Sequence, residues 1–470
     1  MEDKVDYVTI QNKKIPIVAD VDVFVAGGGC AGSGAAIAAG RAGVKTFVAE
    51  RLFALGGTMT SALMSKIAIS FTNHGIAEEL LKRLDAFQHS DFLAGRHEVP
   101  IDPELAKWTL DDMLVSEAGA ELRFGAAITG VIKEGRNISH VIIDGLNGPE
   151  AIGAKYFIDC TGDGQLAFNA GASFLVGNEQ GYSSSPTLMF RIGNVDIEKL
   201  ISEMEAHADV YASEQDTYSN HKISPAQNRK NIANDKYAHF ADFIPLIRQK
   251  IKEHPDFLTP WESEMMLQRG LIFMNQPQGS HVLVNSTRIP YFKGDNGKEL
   301  TDALIAGRKQ VHATFKFMQA FVPGFEKSFL MDTGSMLGIR ESRRITGDYI
   351  FTDDDVNNLR KFDDAIVSNF GGIEIHSADG KSTRHDELGN GNYYHVPYRS
   401  IIAAGFDNLY IAGRCFSANH AALSASRNIA YCMALGQAAG TAGAQLIKAG
   451  KQNVRDIDIR ALQQKLASII

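Results

Sequence analysis

Apolar runs and their punctuation divide the chain into a series of elements. Residues 21–26 form a short run of valines and Phe24 that suits a buried parallel strand. A glycine-rich turn follows, then a small-residue helix over 34–42 that Gly43 closes as a C-terminal cap. Residues 46–49 make a second apolar strand ending at Glu50. Apolar positions 76, 80, 81 and 84 repeat with helical spacing. Asp102 and Pro103 start another helix, as N-cap and first helical residue, which ends at Gly119 before a strand at 121–124. Three alternating segments over 126–154, split by turn residues at 134–137 and 145–148, predict a β-meander. A further strand over 155–160 runs into Thr161-Gly162-Asp163-Gly164 and a helix to Ala170.

The pattern changes near Ala172. Residues 173–235 are rich in Ser, Asn, Gln and Gly around one strand at 187–192. Residues 263–291 alternate as paired strands, and 298–322 form a long helix. The three aspartates at 353–355 lack EF-hand spacing and suit a helix N-terminus. The chain then returns to an apolar strand at 408–412, a turn through 413–420, and one long small-residue helix over 421–447. The first 20 residues form a polar leader with one strand at 7–10. Together these predict an α/β fold: a Rossmann-like nucleotide-binding domain with a β-meander, plus an inserted mixed α+β substrate domain. The expected split assigns 1–171 and 401–470 to the nucleotide domain and 172–400 to the substrate or cap domain.

Composition changes that picture little. The 470 residues are 44% hydrophobic and 22% charged, ordinary values for two or three globular domains. A net charge of −8 invites neither nucleic acid nor an anionic membrane. No apolar run has signal-peptide or bilayer-spanning length. Four scattered cysteines without a C-x-x-C pair fit a reduced, cytoplasmic protein.

The chemistry concentrates between residues 21 and 60. Gly27, Gly29 and Gly32 have G-x-G-x-x-G spacing: the first for a tight turn, the second for close approach to a pyrophosphate, the third for helix–strand packing. Cys30 and Ala31 lie within this turn, where free N–H groups and the helix dipole receive phosphate charge. Glu50, at the tip of the second strand, is placed to accept hydrogen bonds from ribose hydroxyls. The glycine pattern alone is weak, but the strand before it, the helix after it and the placed acid agree on a dinucleotide. Arg51 follows directly, and Gly56-Gly57-Thr58 comes next, either as a simple turn or as a segment running along the cofactor.

The motifs GGGCAGSGAA, ERLFALGGTMT, CTGDGQLAFNAGA, GIRESRRITGDY, HVPYRS and YIAGRCFSANHAALSASRNIAYCMALGQAAGTAGA resemble the bacterial FAD-dependent oxidoreductase family of fumarate-reductase-like flavoproteins, within the superfamily that includes glutathione-reductase-like proteins. The resemblance implies non-covalent FAD. It places Gly57 and Thr58 by the ribityl and pyrophosphate region, and Ile128 at adenine through its backbone. It also places Thr161, Gly162 and Asp163 in a TGD-like turn, and Gly413, Arg414, Leu423 and Ser424 by the flavin and ribityl chain. Arg427 falls in the same part of the last helix, as a cofactor contact or a surface charge.

For the reaction, His395, Tyr398, Arg399 and His420 are candidate acid–base or orienting groups, because imidazole titrates near neutrality. Arg340 is a candidate carboxylate clamp; Arg343 and Arg344 are more readily explained by pairing with Glu341 and Asp348. His376, His385 and Asp386 lack metal spacing, and no metal is expected. The expected activity is hydride transfer between flavin N5 and a small organic substrate lying between the domains. With no second G-x-G-x-x-G unit, either the substrate reduces the flavin or NAD(P)H visits as a transient reductant. The alternatives are a flavin monooxygenase or oxidase using oxygen, and a non-catalytic flavin sensor or RNA-associated flavoprotein. Substrate identity and oligomeric state are not written in the sequence.

Overall fold

A computed structural model describes residues 14–68, 75–88, 98–207, 210–211, 224–233, 238–276, 279–389 and 391–468. The strand expected at 7–10 lies outside these. The fold is α/β, with a parallel-rich sheet of Rossmann type. The strand Ile17–Ala26 sits at its centre, longer than expected at its N-terminal end. On one side it pairs in parallel with Thr46–Glu50, which pairs in turn with Glu121–Phe124. On the other it pairs in parallel with Gly148–Asp159, whose far edge carries Leu409–Ile411.

Gly148–Asp159 is one continuous strand where the sequence pattern suggests two. Its first half runs antiparallel to Asn137–Gly145, itself paired with Ala127–Glu134, and its second half runs parallel within the nucleotide sheet. Gly153 does not break the strand but pairs with both Asp20 and His140, so the meander and the parallel sheet share a strand. A separate five-stranded antiparallel sheet is formed by His239–Asp242, Leu271–Asn275, Val282–Val284, Phe190–Gly193 and Phe329–Thr333. The helix Gly297–Phe321 contributes to the apolar core beside it.

Two stretches depart from the pattern reading. Residues 263–269, expected as strand, belong to the helix Pro260–Arg269, because Thr259 and Glu262 form a capping box with Pro260 at the first helical position. The last helix is two helices, His420–Ala425 and Ile429–Lys448. Asn428 caps the second by accepting from Tyr431 N at 3.2 Å, so its N-terminus begins within the stretch expected to be helix interior.

The helices Cys30–Arg41 and Ile429–Lys448 pack backbone against backbone. A Cβ at Gly436 would overlap the Ala31 carbonyl, and one at Gly440 the Ala35 carbonyl. Gly32 is equally confined, against the Gly27 carbonyl. Among the described residues no helix is long and apolar enough to cross a membrane. Gly436→Ala is therefore expected to lower unfolding stability by about 1–3 kcal/mol or more in urea titration. Gly297→Ala, where a Cβ meets nothing within 4 Å, should stay within about 0.5 kcal/mol.

Candidate functional site

The strand Ile17–Ala26 ends in a turn where Gly27 has φ +87°, a conformation that side chains rarely adopt. The chain then enters the helix Cys30–Arg41 through Gly29, an N-cap with no side chain to satisfy the first N–H groups. No acidic residue occupies the helix's first turn, so its positive end is open to an anion. This turn forms one wall of a cavity of about 490 Å³.

Glu50, 6% exposed, stands at the tip of the neighbouring strand. One carboxylate oxygen accepts from Gly28 N at 2.6 Å and the other from Leu52 N at 2.8 Å. Both bonds orient the acid on the cavity wall. Beside it, Gly56 N donates to Gly28 O at 2.9 Å, which holds the Gly57–Thr58 segment against the first turn. Asp163 is buried, and desolvation alone would raise its pKa. Arg414 at 2.8 Å and Arg51 at 3.3 Å outweigh that and hold the carboxyl below its usual range. Ser342 donates to the same carboxylate at 2.9 Å.

Among the expected cofactor residues, the cavity wall includes Gly27, Gly29, Cys30, Ala31, Glu50, Arg51, Gly57, Thr58 and Ile128. It also includes Thr161, Gly162, Asp163, Gly413 and Arg414. Gly32 lies behind it as a packing residue. Leu423 and Ser424 lie in the short helix, not on the wall. Ser424 Oγ donates to Ala421 O at 2.7 Å and accepts from Glu374 N at 3.1 Å, tying that helix to a hairpin. The break before Ile429 instead puts Arg427, Asn428, Ile429 and Cys432 on the wall. A second helix N-terminus thus opens onto the cavity.

The model of the FAD dependent oxidoreductase family matches residues 22–466, nearly the whole chain. The chain belongs to the FAD dependent oxidoreductase family. Comparison with curated proteins gives no match. Among solved structures, this FAD dependent oxidoreductase is similar to a geranylgeranyl bacteriochlorophyll reductase-like protein from Thermoplasma acidophilum. The identity is 15%, over 96% of this chain and 83% of that one, with a TM-score of 0.46. It is similar to a flavoprotein/dehydrogenase from Cytophaga hutchinsonii at 13% identity, over 96% and 84%, with a TM-score of 0.42. A flavin-dependent brominase triple mutant matches at 13%, over 95% and 84%, also at 0.42. Likenesses this distant carry no argument about substrate.

The residues present fit FAD. An uncapped glycine turn and its helix suit the diphosphate, Glu50 suits the ribose, and the second helix N-terminus at Asn428 suits the electron-rich edge of a flavin.

The opposite wall is less visible in the sequence. Ile373–His376 and Thr383–Asp386 pair as an antiparallel hairpin, with Glu374 opposite His385 and His376 opposite Thr383. Alternation puts these four side chains on one face, and all four line the cavity. His376 Nδ1 lies 2.9 Å from Arg288 Nη2, and Nε2 lies 3.0 Å from Glu374 Oε1. Arginine can only donate, so Nδ1 accepts and Nε2–H points to Glu374. Burial, with Arg340 nearby, keeps that imidazole neutral, its pKa well below the ordinary value. Burial would raise the Glu374 pKa, but His376, Arg427 and His385 win and keep it ionised.

Of the expected reacting groups, only Arg340 reaches this wall. Tyr398 is buried elsewhere, its hydroxyl 2.7 Å from Tyr410 Oη and donating to Val454 O at 2.7 Å. Arg399 pairs with Asp364 at 2.9 Å. His395 accepts from Phe362 N at 3.3 Å, away from the cavity. His420 also lies off the wall. Its Nδ1 is 2.7 Å from Glu341, a carboxylate shared with Arg344, and burial with Arg344 and Arg427 pushes the imidazole down to about 4. Arg344 is engaged as expected with Glu341, whereas Arg343 stacks over Phe168 at 4.1 Å and Asp348 pairs with Arg455.

Glu50→Ala removes the acceptor for two backbone N–H groups and the ribose acid together. FAD affinity is expected to fall by about tenfold or more, read by fluorescence titration of the apoprotein.

Proposed function

We propose that this flavoprotein is a dehydrogenase or reductase that exchanges a hydride between flavin N5 and a small organic substrate. The observation that carries the reading is a single cavity whose walls differ in kind. One wall is built from the glycine turn, Glu50 and the Asp163–Arg414 pair; the other is the hairpin bearing Glu374, His376 and His385. In this reading residues 1–171 and 401–470 form the FAD-binding unit, and 172–400 supplies the substrate wall. The finer kinship is with the glutathione-reductase-like and fumarate-reductase-like flavoproteins, supported by the fused meander and parallel sheet. NAD(P)H acts as a transient reductant or not at all. The partners are small molecules, without nucleic acid or membrane, and the setting is the cytoplasm, where four buried thiols stay reduced.

When bound, FAD supplies the two-electron centre that takes or gives the hydride. The chain's own residues do the rest. Arg288 fixes the His376 tautomer, and Nε2–H of His376 then orients the ionised Glu374 on the cavity wall. His385, facing Glu374 across the hairpin, is the group placed to carry the accompanying proton. The helix N-terminus at Asn428 would hold the cofactor's negatively charged edge.

The reading is tested by reducing the flavin photochemically without oxygen and then mixing it with oxygenated buffer. Slow reoxidation, over many seconds, is the expected result. Rapid reoxidation would favour a monooxygenase or oxidase, and failure of the protein to bind FAD would remove the reading altogether. Bleaching by NADH or NADPH in the same cuvette decides whether nicotinamide is the reductant.

A further inference from the structure

The hairpin side of the cavity carries more positive charge than the chain neutralises. Arg340 is 8% exposed and lines the cavity, and it donates to a neutral acceptor, the Ser185 carbonyl. Among the described residues no carboxylate forms an ion pair with it. Arg427, also on the wall, donates to the backbone carbonyl of Glu374 at 3.5 Å. Arg288 stands directly behind, donating to Gly380 O at 3.0 Å and to His376. Against these guanidinium groups stand Glu374, already hydrogen-bonded to His376, and, for Arg288, Asp379.

A buried guanidinium without a counter-charge is costly to maintain. Burial and the like charges of Arg427 and Arg288 push the Arg340 pKa down to about 9, and the more distant Glu374 offsets this only in part. The cofactor diphosphate does not resolve this, because it has its own donors at the glycine turn and the helix Cys30–Arg41. Beside the polar Thr187, His239, Arg269 and Asn285, the cavity lining carries an apolar patch: Met189, Met274 and Ile272 are each nearly inaccessible to solvent.

We infer that the substrate is an organic carboxylate with an apolar body, its acid group held by Arg340 with Arg427 alongside and its body against Met189, Ile272 and Met274. The inference rests on the flavoenzyme reading for its reaction but not for its binding. A planar guanidinium pairs with a carboxylate through two parallel hydrogen bonds, and the apolar patch favours an organic acid over inorganic phosphate. The neutral amide of the same acid keeps the shape and loses the charge, so it isolates the contact.

The test is thermal unfolding of the FAD-loaded protein, with the flavin absorption spectrum followed in parallel. The probes are hexanoate and benzoate, hexanamide and benzamide, and inorganic phosphate. Both acids should raise the Tm saturably and perturb the flavin bands, while the amides and phosphate do neither. Arg340→Gln should weaken binding of the acids by about tenfold or more, and Arg340→Lys should recover part of it. Amides or phosphate binding as tightly as the acids would overturn the inference, as would an Arg340→Gln protein that binds the acids unchanged. If Arg340→Gln does not fold, the acid-against-amide comparison on the unaltered protein still decides. Flavin content of the purified protein reports separately on the flavoenzyme reading, and the melt needs neither turnover nor flavin colour.

Discussion

Everything at this site depends on the backbone contact between the helices Cys30–Arg41 and Ile429–Lys448. The carbonyls of Ala31 and Ala35 occupy the space that side chains at Gly436 and Gly440 would need. Two helices separated in sequence by nearly the whole chain thereby meet at backbone distance. Their N-termini, at Gly29 and Asn428, open onto the same cavity. A wider separation would aim the two dipoles at different places, and one extended cofactor could not use both. The small-residue composition of both helices is therefore a statement about anion binding as much as about packing.

The two walls of the cavity solve opposite electrostatic problems. On the nucleotide side, charges are neutralised locally: Asp163 is held by Arg414 and Arg51, and Glu50 by two backbone N–H groups. On the hairpin side, guanidinium groups gather around Glu374 and a neutral histidine. A finished protein core would not keep that imbalance, since unpaired buried charge destabilises it. A ligand pocket can, because the missing charge arrives with the ligand.

Much of the nucleotide side was legible in the residues. The glycine spacing, the Glu50 position and the Asp102 N-cap each follow from a local rule and need only a few neighbouring positions. The hairpin side was not legible. Glu374, His376, Thr383 and His385 carry no spacing that distinguishes them from a surface strand pair, and their meaning comes from the face they share and from Arg288, far away in sequence. Conversely, His395, Tyr398 and Arg399 looked reactive as residue types, yet Tyr398 and Arg399 are engaged by Tyr410 and Asp364. Residue type suggests a capacity; only the environment decides whether it is used.

The sequence by itself determined the α/β class and the dinucleotide turn, because these rest on periodicity, glycine geometry and short-range spacing, while the flavin-using family rests on the resemblance of its motifs. Tertiary structure alone decided where the last helix breaks, which histidine faces the cavity, and which arginines lack a counter-charge. Those are outcomes of long-range packing and desolvation. They depend on groups brought together from residues 155 apart or more, as Ser185 and Arg340, or Gly29 and Asn428, are. No local pattern encodes such a distance; it exists only once the backbone has closed around it.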